Sequence, residues 1–109
     1  MKKDKSALYQ SEHKLLQDVQ TYLNSLRRYS IKVLRINDMY HKGYADLFVC
    51  CRGIFVVLEL KTVNGPVTPH QNLFLKEMKE AGAVGGVCRC LQDVENYMEE
   101  AWERGERCE

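Results

Sequence analysis

Tyr44-Ala45-Asp46-Leu47-Phe48-Val49-Cys50-Cys51-Arg52-Gly53-Ile54-Phe55-Val56-Val57-Leu58-Glu59-Leu60-Lys61 is a pair of apolar runs joined by two residues that favour a turn. Both runs are rich in β-branched and aromatic side chains and too short for buried helices, so each reads as a strand. The Arg52-Gly53 link predicts a tight hairpin. Side chains two apart on a strand share a face. Phe55, Val57, Glu59 and Lys61 therefore point one way, and Ile54, Val56, Leu58 and Leu60 the other. On the preceding strand Tyr44, Asp46, Phe48 and Cys50 share a face. A turn at Arg52-Gly53 places Asp46 opposite Glu59, because both lie the same distance from it.

Two carboxylates and an ammonium at one end of a buried hairpin need an explanation, because unpaired burial costs several kcal/mol per charge. Chance must be weighed first. The chain contains three E-x-K tripeptides, Glu12-His13-Lys14, Glu59-Leu60-Lys61 and Glu77-Met78-Lys79, where composition alone predicts roughly one. The first and third fall in helical patterns, where residues two apart point to nearly opposite sides. Only Glu59 and Lys61 combine the spacing with a strand.

The rest of the chain places this hairpin in an α/β frame. Ser11 caps a helix that starts at Glu12 and carries Leu15, Leu16, Val19, Tyr22, Leu23 and Leu26 at helical spacing up to Arg27-Arg28. A short strand follows over Ile31–Ile36. Asn64-Gly65-Pro66 ends the third strand. Thr68-Pro69-His70-Gln71 opens a second helix, with Pro69 at its first position and Gln71 as capping-box partner, and Gly82 closes it. Val84–Leu91 reads as a fourth strand, and Asp93 to about Arg104 as a last helix carrying Tyr97 and Trp102 as core or interface aromatics. The order α-β-β-β-α-β-α predicts an α/β sandwich with a central mixed four-stranded sheet flanked by helices.

At 109 residues the chain is expected to be one domain, 1–109, with no room for a separate specificity domain. No apolar stretch reaches the roughly 18–20 residues of a membrane span, and the N-terminus lacks a secretory signal. These features and the odd number of cysteines, five, predict a cytoplasmic protein with reduced thiols. Cys50-Cys51 and Cys88-Arg89-Cys90 lack zinc-site spacing, although a thiol–metal regulator built on these four residues is a further alternative. The formal net charge is +1, so a nucleic-acid role needs a local basic face or a groove between two subunits. Basic residues gather near the start and around Arg27-Arg28, while Glu99, Glu100, Glu103, Glu106 and Glu109 crowd the C-terminal end.

Asp46, Glu59, the Leu60 carbonyl and several waters would suit a magnesium ion. Lys61 would then orient or deprotonate an attacking water, and the metal would stabilise charge on a phosphate. The plain alternative is a partly exposed salt bridge of Lys61 with Asp46 or Glu59, worth under about 1 kcal/mol.

Gly43-Tyr44-Ala45-Asp46, Glu59-Leu60-Lys61 and Thr68-Pro69-His70-Gln71 together resemble the PD-(D/E)xK nucleases. The similarity is strongest to their VRR-NUC (virus-type replication-repair nuclease) branch in its stand-alone form. It runs from about Glu12 to Leu91, in the αβββαβ order of that restriction-endonuclease-like fold. It implies metal-binding roles for Asp46, Glu59 and the Leu60 carbonyl, a catalytic role for Lys61, and supporting roles for Gln71 and, more weakly, Glu12. One departure is Ala45, where many members have proline; that position shapes backbone and binds no metal.

Each supporting residue has a simpler reading: Glu12 as a first-turn acid on the helix dipole, Gln71 as a cap, Lys42 and His41 as loop residues rather than phosphate contacts, His13 and His70 as surface. The resemblance implies a Mg2+-dependent DNA endonuclease, with Mn2+ substituting, needing no small-molecule cofactor. Stand-alone members resemble Holliday-junction resolvases, so the expected substrate is branched or four-way-junction DNA in repair and the expected assembly a homodimer. A phage or prophage source fits the viral branch. The rival is a catalytically silent nuclease-fold module that binds nucleic acid or a protein partner.

Overall fold

The computed structural model describes residues 4–26, 31–35 and 45–105. Helix α1 covers Glu12–Ser25, strand β1 Ile31–Arg35, β2 Leu47–Cys51, β3 Ile54–Leu60, helix α2 Pro69–Glu80, β4 Val84–Cys88 and α3 Leu91–Arg104. The four strands form one sheet in the order β1-β2-β3-β4. β1, β2 and β3 are antiparallel neighbours, and β4 joins β3 in parallel after the α2 crossover. This is the mixed sheet flanked by helices that the chain's patterning predicts.

The hairpin turns at Arg52-Gly53, with Cys51 paired to Ile54 and Leu47 to Leu58. Both turn residues have positive φ, 51° at Arg52 and 87° at Gly53, the signature of the tight turn that matches strand twist. Glycine adopts that conformation freely; arginine does not. Arg52 is held there from outside, its Nη1 donating to the Trp102 carbonyl at 2.8 Å and its guanidinium lying 4.3 Å from the Trp102 ring centre.

The two faces of the sheet carry unequal cores. On one, α1 and α3 pack Leu15, Val19, Leu23, Val94 and Met98 against Leu47, Val49, Val56, Leu58 and Leu60. On the other, Leu75 of α2 meets Val57 and Ala45, with Phe48, Phe74, Met78 and Val87 around them. Gly85 is required where β4 meets β3, since a β-carbon there would lie 1.9 Å from the Val57 carbonyl oxygen. Among the described residues no helix is long and apolar enough to cross a membrane.

Five boundaries differ from expectation, the first being β3, which ends at Leu60 before the Asn64-Gly65-Pro66 break. α1 stops at Ser25, short of Arg27-Arg28. β2 starts at Leu47 rather than Tyr44, so Asp46 stands one step beyond the ladder, where its carboxylate bonds across to β3. β4 ends at Cys88 and α3 begins at Leu91 instead of Asp93. Asp93 sits inside the first turn of α3, and its carboxylate reaches back to accept the Arg89 N–H at 2.9 Å, as an acid three residues into a helix can. Tyr44, Lys42, His41 and the last four residues lie outside the described residues, as does Arg27-Arg28.

Candidate active site

The hairpin register carries Asp46 to the position facing Glu59, one step past the Leu47–Leu58 pair. Asp46 Oδ2 accepts the Leu60 N–H at 2.8 Å, which fixes that carboxylate to the end of β3. Lys61 follows the strand, and its N–H donates to the Cys88 carbonyl at 3.0 Å, extending the β3–β4 ladder by a step. Its Nζ lies 3.6 Å from Glu59 Oε1. Asp46, Glu59 and Lys61 thus converge at the open end of the hairpin, as side-chain parity predicts.

Glu59 is the buried charged residue of the core, 2% exposed. Its Oε1 accepts from Gln71 Nε2 at 2.8 Å. Gln71 gets there through its capping duty. Its Oε1 accepts the Thr68 N–H at 3.0 Å, and its own N–H donates to Thr68 Oγ1 at 3.2 Å. With the amide oxygen turned back to the cap, the amide nitrogen is aimed into the sheet. The cap bonds and the contact with Glu59 are thus one arrangement of the Gln71 side chain.

The other oxygen, Glu59 Oε2, is buried and has no hydrogen-bond partner among the described residues. A buried acceptor left bare costs roughly 1–3 kcal/mol, so natural proteins keep few of them. Burial, and next the charge of Asp46, push the Glu59 carboxyl up to about 8; Lys61 draws it down, and Glu12 adds a smaller push up. Glu12, exposed at the first position of α1, is therefore within electrostatic reach. Surplus negative charge with a bare oxygen is what a cation would relieve.

The donor chemistry tests which cation. Among the described residues no three His, Cys, Asp or Glu side chains gather as a metal cage. Magnesium needs no such cage, being commonly held by one or two carboxylates with waters completing the shell. Asp46 and Glu59 fit that pattern. Cys50, Cys51, Cys88 and Cys90 are not part of such a cage among the described residues either, and burial raises the Cys51 and Cys88 thiols. His70 is exposed at the start of α2, and His13 is exposed on α1.

Sequence reasoning missed Arg89. Its Nη1 donates to the carbonyls of Thr62 at 2.6 Å and Gly65 at 2.9 Å, tying down the loop between Lys61 and the Thr68 cap. The Val63 N–H adds a bond to the Tyr9 carbonyl at 2.8 Å. One charged residue between Cys88 and Cys90, at the end of an apolar strand, was the signal available.

The fold is that of a VRR_NUC domain. A solved structure described as "VRR_NUC domain" superposes with a TM-score of 0.61 and 24% identity, covering 76% of this chain and 92% of that one. No family model and no curated protein matches the sequence.

Proposed function

We propose that this chain is a metal-dependent DNA endonuclease that hydrolyses phosphodiester bonds at the Asp46–Glu59–Lys61 centre. The buried Glu59 Oε2, with no hydrogen-bond partner among the described residues, carries the reading. It belongs to a carboxylate that sits opposite Asp46 in the hairpin register and whose other oxygen lies 3.6 Å from Lys61 Nζ. A structural salt bridge leaves Oε2 unexplained; a cation site explains it. Mg2+, with Mn2+ as substitute, would be held by Asp46, Glu59, the Leu60 carbonyl and, less directly, Glu12. When bound, such an ion supplies an activated water and neutralises charge on the phosphate.

The chain's own residues supply the rest. The Leu60 N–H and the Gln71 amide hold the two carboxylates in place. Lys61 Nζ, 3.6 Å from Glu59 Oε1, would orient the attacking water as an ammonium or, in its neutral amine form, take that water's proton. Gln71, fixed by Thr68, gives that water or a phosphate oxygen a second polar contact. Arg89 keeps the loop between them from shifting the two halves of the site.

The proposed substrate is branched or four-way-junction DNA, and the proposed assembly a homodimer. Leu34, Phe55 and Leu73, 57%, 40% and 55% exposed, support the second point. Leu34 pairs with Phe48 across the β1–β2 ladder and the Phe48 ring touches Phe55 at 5.1 Å between centroids, so the first two belong to one apolar surface on the α2 side.

Incubating wild type and Lys61→Ala with four-way-junction, flap, single-stranded and linear duplex DNA plus Mn2+ tests all three parts. Cleavage should fall by roughly 10²–10⁴ in the variant. Undiminished cleavage would sink the mechanism. Linear duplex cut as fast as junction would remove the structure specificity, and a monomer by ultracentrifugation would remove the dimer. Tight binding with no cutting by wild type would leave the silent module.

A further inference from the structure

We infer that the groove between α2 and β4 is a phosphate track: it seats the DNA backbone flanking the cut through Lys76 and Lys79. This rests on the nuclease reading and names where its substrate lies. The groove, about 420 Å³, is lined by Asn72, Lys76, Lys79, Glu80, Gly86 and Val87, together with Leu75 beneath them. It starts where the active centre ends. Val87 is the register partner of Glu59, on a strand roughly 4.8 Å away, and Asn72 follows Gln71 in α2.

Asn72, Lys76 and Lys79 stand at i, i+4 and i+7 and so share one side of α2. From Gln71 to Lys79 the helix rises about 12 Å, at roughly 1.5 Å per residue. That spans about three nucleotides at roughly 3.4 Å of rise along one strand. A backbone leaving the scissile phosphate over the β4 edge therefore meets an ammonium group at each of two successive turns.

Three details favour an anion there. Lys79 Nζ lies 3.4 Å from where a β-carbon on Gly86 would sit, a point 2.7 Å from the Tyr97 hydroxyl oxygen, so the ammonium reaches over β4. Among the described residues Lys79 pairs with no carboxylate. Lys76 has only Glu80, at 4.0 Å, with both side chains mostly exposed, a contact that a phosphate can replace. Lys14, in contrast, is held by Asp18 at 3.1 Å and lies outside the groove. Glu80 opposes the track at the end of the helix.

The test is fluorescence anisotropy of labelled junction DNA in EDTA across a salt series. The proteins are wild type, the double variant Lys76→Gln/Lys79→Gln, Glu80→Gln, and Lys14→Gln as charge control. The double variant should bind about five- to tenfold more weakly, with the slope of log affinity against log salt smaller by about 1–2. Glu80→Gln should bind more tightly, which a merely structural role would not produce. Lys14→Gln should match wild type. The track is overturned if the double variant keeps the wild-type slope, if Lys14→Gln loses as much, or if wild type does not bind DNA. The nuclease reading fails separately, when the slopes behave as expected but no Mn2+-dependent cleavage is seen.

Discussion

Among the described residues, the face under α1 and α3 holds fifteen buried residues in a continuous apolar core, and the α2 face holds three, one of them Leu75 of α2 itself. The Glu59 carboxylate sits on the thin side. Position explains the difference. An apolar core is stable because every group in it is satisfied by packing, and an unpaired carboxylate there would destabilise it. On the thin face α2 arrives with a capped N-terminus rather than a broad apolar stripe, and its amide can meet Glu59. The thick face supplies stability; the thin face can tolerate a charged site, stabilised from elsewhere in the fold.

The hairpin repeats the contrast along its length. Its turn end is locked by Arg52 on Trp102, near an apolar cavity of about 300 Å³ lined by Tyr22, Leu26, Met98 and Trp102. Its open end holds the three charged groups.

The largest expected effect separates the two faces. Leu58→Ala or Leu23→Ala should cost about 3–5 kcal/mol in unfolding free energy, and Leu75→Ala, on the α2 side, about 2. Chemical denaturation measures both, and equal losses would erase the distinction.

Next in size is a pH effect confined to the thin face. With its carboxyl raised from 4.5 to about 8 in the fold, Glu59 binds its proton more tightly in the folded state than in the unfolded one. Its contribution is complete below pH 4.5 and is lost as pH rises through about 8. In chelator the protein should therefore weaken over that window by on the order of a few kcal/mol. Glu59→Gln should flatten the profile and melt higher than wild type at pH 8.5. A variant that melts lower there would show that the charge is not a strain on the fold.

Divalent cation should reverse that strain. Mn2+ at 100 times its dissociation constant should stabilise wild type by about 2.7 kcal/mol, seen as a higher Tm, and leave Asp46→Ala unmoved. A shift of equal size in both proteins would put the ion elsewhere.

The smallest effect probes the link between cap and site. Thr68→Ala should cost about 1 kcal/mol. It should also lower kcat severalfold at unchanged KM, because the Gln71 amide loses its aim. A stability loss with full activity would confine Gln71 to capping.

Much of this architecture is written locally. Ser11, Thr68-Pro69 and the Arg52-Gly53 turn announce themselves because caps and tight turns depend on atoms within a few residues. The same locality brings Asp46 opposite Glu59, since a two-residue turn and a period of two leave a single register that buries the apolar set. Element ends are less legible: the strand and helix patterns meet over Arg89–Asp93, and the helix start at Leu91 has no side-chain cap to mark it.

The chain by itself therefore determined the strands, the hairpin and the three charged groups at its open end, all set by short-range sterics and hydrogen bonding. Only the tertiary structure decided that Gln71 meets Glu59, that Arg89 holds the loop between them, and that one buried oxygen of Glu59 has no partner among the described residues. Those contacts join residues 12 to 27 positions apart. They depend on how α2 and β4 pack against β3, a question of shape across elements that no local pattern encodes.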